Sequence, residues 1–225
     1  MANPPGKYEK LLSTKGPLAA TPKKAVDWYK DSAGKVRTVN ARQFLEDPAS
    51  GIKKVNNLGE AFVGKMCLFF YDPKHKDTLP FYDRYPLIFP IEWYKDGSML
   101  GINLHYLPPN LRAKLLDALE STLLLNRGRP EKERLAISYK VISAASKSFS
   151  LYPAAKPCIK KYLLSHVRSK FQIVPTEHWD KVIFLPLERF EKGNKSDVWA
   201  DSKKKMANVK KANDDYLKQF KKKDK

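Results

Sequence analysis

Residues 86–106 read PLIFPIEWYKDGSMLGINLHY, and the fold turns on how this stretch is read. PLIFPIEWY (86–94) and MLGINLHY (99–106) are rich in β-branched and aromatic residues, and KDGS between them centres on Asp96-Gly97. Two such runs joined by Asp-Gly predict a β-hairpin. Pro90 cannot donate to a ladder, so it predicts an edge strand or a bulge.

Working outward, VGKMCLFFY (63–71) predicts a further strand. Pro108-Pro109 opens a helix in which Leu111, Leu115, Ala118, Leu119 and Thr122/Leu123 follow the 3.6-residue period. A second helix is expected over about 130–147, with Pro130, Glu131 and Glu133 in its first turn and Leu135, Tyr139, Ile142 and Ala145/Ser146 inward. A third is expected over KPCIKKYLLSHVRSKFQ (156–172), where Ile159, Leu163, Val167 and Phe171 recur every fourth residue. VIFLPLERF (182–190) begins as a short buried strand. The result is an α+β core domain at 62–190, a small antiparallel sheet packed with about three helices. Residues 1–61 read as an extended arm with possible short helices at AVDWYKD (25–31) and RQFLED (42–47). Residues 191–225 read as a basic helical tail, with Trp199, Met206, Val209, Tyr216/Leu217 and Phe220 along one stripe.

Charge is the strongest compositional signal. Among 225 residues, 43 Lys and Arg stand against 24 Asp and Glu, a formal net charge of +19. The excess is spread over all three parts: 11 basic against 6 acidic residues in the arm, 20 against 12 in the core and 12 against 6 in the tail. Such a balance favours polyanions, nucleic acid first and an acidic protein or anionic membrane second. Hydrophobic content of 42% argues against disorder. Cys67 and Cys158 are too few for a disulfide framework and read as buried free thiols. The first residues contain no apolar signal core, and LLL (123–125) is far short of a membrane span.

Catalytic patterns are scarce. Asp83 followed by Glu92 and Lys95 misses the acid, Glu-x-Lys spacing of metal-dependent nucleases by one residue. On a regular strand Glu92 and Lys95 point to opposite faces. Histidines 75, 105, 166 and 178 are too scattered for a metal site. His105 is a candidate base, with a hydrogen-bonded structural histidine as the simpler reading. Neither a phosphate-binding glycine loop nor a nucleophile elbow is present. No cofactor or metal is expected, and binding is favoured over catalysis.

Three regions are candidates for holding nucleic acid. In FFYDPKHKDTLPFYDRYPLIFP (69–90), Lys74, Lys76 and Arg84 bracket Phe81 and Tyr82, and rings interleaved with cations suit exposed base faces. A rigid loop whose rings fill the core is the competing reading. On the expected third helix, Lys161, Ser165, Arg168, Ser169 and Gln172 share a polar stripe, with Lys160 and Lys170 at its rim. Lys203, Lys204 and Lys205 head the lysine clusters of the tail, which also suit an acidic protein.

The order YDPKHKDTLPFYDRYPLIFPI, GINLHYLPPNLRAKLLDAL, CIKKYLLSHVRSKF and FLPLERF…VWADSKKK resembles the DNA end protector family of T-even-type tailed phages over residues 66–205. The phrases D-TLP-YD-(F/Y)PL and G-N-HYL-P carry the likeness. The resemblance implies a minor virion protein, without catalysis, that binds the termini of a packaged linear double-stranded genome. It would shield them from host exonuclease and join in head completion near the portal and neck. It implies residence in the virion, and in the host cytoplasm during assembly and after injection.

Overall fold

The computed structural model describes residues 5–15, 38–39, 65–94, 96–124, 153–175 and 178–223. The helix expected over 130–147 and the short helices at 25–31 and 42–47 lie outside the described residues.

The expected hairpin is present as β4 (Leu87–Tyr94) and β5 (Ser98–Asn103). Gly97 closes the turn at φ 73°, a left-handed conformation that glycine adopts without strain. The hairpin lies inside a six-stranded antiparallel sheet ordered β1-β7-β2-β4-β5-β6. The other members are β1 (Thr38–Val39), β2 (Cys67–Leu68), β6 (Ile159–Leu163) and β7 (Phe171–Ile173). Because β4 is interior, Pro90 marks a bulge and not an edge: the register skips from Pro90↔Gly101 to Glu92↔Leu100, leaving Ile91 as the extra residue.

That bulge has a packing consequence. Leu87, Phe89 and Ile91 face the main apolar cluster, while Ile88 faces a second cluster on the other side of the sheet. Simple alternation would send Trp93 to the main cluster; the inserted residue returns it to the face of Ile88, opposite Met99. The bulge precedes Glu92, so it does not repair the nuclease spacing that follows. The segment 66–71 alternates in the same way, Met66, Leu68 and Phe70 toward one cluster and Cys67, Phe69 and Tyr71 toward the other. A sheet covered on both faces explains the nearly unbroken apolar runs of its strands.

Two expectations are corrected. Residues 156–172 do not form a helix: a 3-10 turn (Pro153–Cys158) leads into β6, a second 3-10 turn (Leu164–His166) and then β7. The four-residue apolar spacing is real, but β5 needs a partner along its outer edge, and pairing with Ile159–Leu163 satisfies those backbone groups. Nor does a strand begin at Val182. That residue ends a one-turn helix, α3 (Trp179–Val182), and Pro186 prevents a ladder from forming directly afterwards. The strand comes later, as β8 (Phe190–Glu191) paired with β3 (Tyr82–Asp83) in a separate two-stranded sheet.

Helix α2 (Pro109–Leu124) starts where the proline pair places it. Over 109–117 its innermost residues are Arg112, Ala113 and Leu116, with Leu111 and Leu115 only half-buried at the margin, so the buried face there is displaced from the one the periodicity indicates. Part of the arm read as extended is helical: α1 (Lys7–Lys15) lies against α2 and buries Tyr8. The Asp117 carboxylate of α2 accepts the Tyr8 and Glu9 N–H groups at 2.8 and 3.0 Å, capping α1 from another helix. Helix α4 (Lys195–Lys223) is capped by Asn194, whose side chain accepts the Asp197 N–H at 3.0 Å. Val198 and Ser202 are buried and Trp199 and Met206 half-buried, so its first turns are part of the core. Ala207, Asn208, Lys210 and Lys211 are all exposed, and steps of about 100° place them within one arc of about 160°, opposite the side of Val198 and Ser202.

Candidate nucleic-acid interface

A buried carboxylate organises the basic surface. Asp83 is 3% exposed. Its Oδ1 accepts the backbone N–H of Tyr85 at 3.0 Å and of Arg189 at 3.3 Å. Its Oδ2 accepts Asn103 Nδ2 at 3.0 Å and lies 2.7 Å from His105 Nδ1. Asn103 also donates to the Tyr162 hydroxyl, at 3.1 Å, and its Oδ1 accepts the His105 N–H. Four partners on one buried carboxylate offset the cost of removing it from water. His105 is wholly buried, which seals it from any substrate and gives it a structural part. Of the residues that carry the family phrases, Asp83, Asn103, His105 and Tyr106 are core residues, whereas Asp77, Thr78 and Pro80 are exposed.

Beside this network lies Arg112, 1% exposed. It donates from Nε to Leu107 O at 2.7 Å, from Nη1 to Ile183 O at 3.1 Å and from Nη2 to His105 O at 3.3 Å. Glu188 stands 3.8 Å away, and the guanidinium lies over the Trp199 ring. Trp199 Nε1 donates to the same His105 carbonyl at 2.9 Å. Burial lowers the Arg112 pKa, and Glu188 opposes that. One side chain thus joins α2, the chain after α3 and α4.

The network fixes the backbone on which three arginines meet. Arg84 N–H donates to Arg189 O at 2.8 Å, Tyr71 N–H to Arg84 O at 2.9 Å, and Arg168 N–H to Phe70 O at 2.8 Å. Continuing the β3–β8 register from Asp83↔Phe190 sets Arg84 opposite Arg189, so both project from the same face. Like charges directly opposed on a sheet repel. Glu191 meets Arg84 at 3.4 Å, whereas no carboxylate among the described residues meets Arg189, whose guanidinium lies 5.8 and 5.9 Å from the stacked rings of Phe70 and Tyr85. Arg168 and Lys76 share Asp72, at 3.8 and 3.2 Å. Four cations here answer to two carboxylates.

The other residues singled out in the sequence are distributed around this strip. Lys74 is exposed on the same loop, and Lys192, at φ 62°, holds that loop by donating to Asp77 O at 2.7 Å. Phe81 packs half-buried on the main apolar cluster beside Tyr106, and Tyr82 is half-buried on β3. Lys160 and Lys161 do not share a face, because neighbouring strand residues alternate. Lys161 is exposed at the hairpin tip, paired with Asp96 at 2.9 Å. Lys160 turns inward, 4.0 Å from the Tyr106 ring centroid. Burial first and Lys205 second bring its pKa down to about 8, against the opposing pull of Cys158 and Asp201. Arg168 belongs to the strip, Lys170 is exposed after it, and Lys203, Lys204 and Lys205 are exposed on α4, with Lys205 paired to Asp201 at 2.7 Å. Sequence reasoning overlooks Phe70 and Arg189, which are separated by more than a hundred residues; only pairing of β3 with β8 joins them.

Nucleophiles and metal ligands do not gather here. Burial raises both thiols, Cys158 to about 12, which keeps them protonated. Among the described residues no three of His, Cys, Asp and Glu are placed to hold a metal ion, and no helix is long and apolar enough to cross a membrane.

The fold and this surface define a basic α+β protein with arginines clustered on a rigid scaffold. The chain belongs to the family described as phage T4 terminal DNA protecting protein, whose model matches residues 14–206. No curated protein and no solved structure matches it.

Proposed function

We propose that this chain is a virion protein that binds the ends of a packaged linear double-stranded DNA genome and shields them from host exonuclease. Family membership supports the end-protecting role, and the under-compensated arginine strip is the single structural observation that favours a DNA-holding surface. In this reading Arg84, Arg168 and Arg189, with Lys74, Lys76 and Lys170 beside them, contact the terminal phosphates. Lys203, Lys204 and Lys205 on α4 add a second, sequence-independent grip along the backbone. Phe81 and Tyr82 support the loop from beneath, and Lys160 and Lys161 contribute positive potential from two sides of the sheet. The protein acts without catalysis or cofactor, during head completion near the portal and neck.

The test is protection of linear duplex by the purified protein against an end-dependent exonuclease, beside a gel shift of linear and circular duplex at two salt concentrations. Protection with preferential retention of the linear form supports the proposal. Equal binding to both forms without protection refutes the end-specific part, and magnesium-dependent loss of linear DNA refutes the non-catalytic part.

A further inference from the structure

The arginine strip has features that a general DNA-backbone surface does not require. Arg84 and Arg189 are directly opposed one residue beyond the β3–β8 ladder, an arrangement that costs stability in the free protein. Arg189 is kept in place by the Phe70–Tyr85 stack, whose centroids are 4.6 Å apart, and not by an acid. Its fork of donors therefore remains free of a carboxylate among the described residues. Arg168 enters from the other side, tied to Phe70 through the backbone while Phe70 N–H donates to Ser169 Oγ at 2.8 Å. Counting Lys76, Arg84, Arg168 and Arg189 against Asp72 and Glu191 leaves two more cations than carboxylates in ion-pair contact with them.

A phosphodiester inside a duplex carries one negative charge. A phosphate monoester at a strand terminus carries about −1.5 to −2 at neutral pH, with three acceptor oxygens. Paired guanidinium forks suit that geometry better than ammonium groups do. We propose that this strip is a receptor for the terminal phosphate monoester of a DNA strand, with Arg84 and Arg189 as its two jaws and Arg168 at its side. This deepens the end-binding reading and rests on it: the terminal phosphate becomes the chemical feature by which an end is told from the interior.

The experiment measures fluorescence anisotropy of the full chain with a blunt duplex bearing either 5′-phosphate or 5′-hydroxyl termini, in excess circular duplex. The wild-type protein is expected to hold the phosphorylated end about tenfold more tightly, the scale of charge-assisted hydrogen bonds. Arg189→Met and, separately, Arg84→Met are expected to bring the phosphorylated end down to the level of the hydroxyl end. Binding of the hydroxyl end should fall only by the smaller factor of one lost cation, and the urea midpoint should not fall, since both side chains are exposed. End binding that ignores the 5′-phosphate overturns the receptor and leaves the end-binding proposal intact. Discrimination that survives both substitutions overturns the assignment to this strip. Absence of any preference for linear over circular duplex overturns the underlying reading as well.

Discussion

The arginine strip and helix α4 are both basic and exposed, but they hold their charge in different ways. In the strip, three arginines from distant parts of the chain stand on backbone locked by a buried carboxylate. On α4, Lys203, Lys204, Lys205, Lys210 and Lys211 are exposed along a single helix, and local sequence alone sets their spacing. A rigid cluster can be selective for the shape and charge of one anion, whereas a projecting row of lysines adds affinity without selectivity.

The largest expected effect comes from the residue that joins the two regions. Arg112→Ala leaves the Leu107 and Ile183 carbonyls and Glu188 unpaired, with His105 O keeping only Trp199, and should cost about 3–5 kcal/mol of stability in a urea titration. A loss below about 1 kcal/mol, the scale of an exposed pair, would show that the strip and α4 are not joined here. Asp83→Ala is of comparable size: it takes an acceptor from four partners, at about 1–3 kcal/mol for each donor left buried and unpaired. It should also abolish the preference for linear duplex while α4 keeps its salt-sensitive grip on circular DNA. Parallel loss on both substrates would break the distinction.

Charge removal from α4 sharpens the comparison from the other side. Replacing Lys203, Lys204 and Lys205 with methionine should weaken linear and circular binding equally and flatten the salt slope by up to about 0.9 for each phosphate no longer neutralised. A selective loss on linear duplex would move the end-reading role to the helix. The smallest effect concerns Lys160, whose pKa in the folded protein, about 8, lies below its ordinary 10.5. Below pH 8 the buried charge is an undiminished burden. Between 8 and 10.5 the folded form has released a proton that the unfolded form still holds, so stability rises with pH. Lys160→Met should therefore raise the urea midpoint at pH 7 and lose that advantage by pH 10. An equal gain at both values would mean that Lys160 does not titrate in this window.

Much of the framework is legible in the sequence because it depends on neighbours. Asp96-Gly97 sets the hairpin turn, Pro90 announces the bulge, and Pro109 starts α2, each through backbone restrictions of a single residue. The 156–172 segment misleads because its apolar spacing satisfies a helix locally, and only the open edge of β5 makes a strand the better partner. Of the candidate contacts, Arg84 is recognisable as a cation among aromatics, whereas Arg168 is singled out on the polar stripe of a helix that does not form. Arg189 is not recognisable, since its importance comes from lying across from Arg84.

The sequence by itself determined a basic α+β chain, its hairpin, and its likeness to end-protecting proteins, because composition and turn chemistry are local quantities. Tertiary structure alone decided that Asp83 and His105 are buried together, that Lys160 and Lys161 part company, and that Arg84, Arg168 and Arg189 converge. Those outcomes depend on strand pairing over long separations in the chain, where the free energy lies in satisfying backbone and buried polar groups and not in the preference of any one residue.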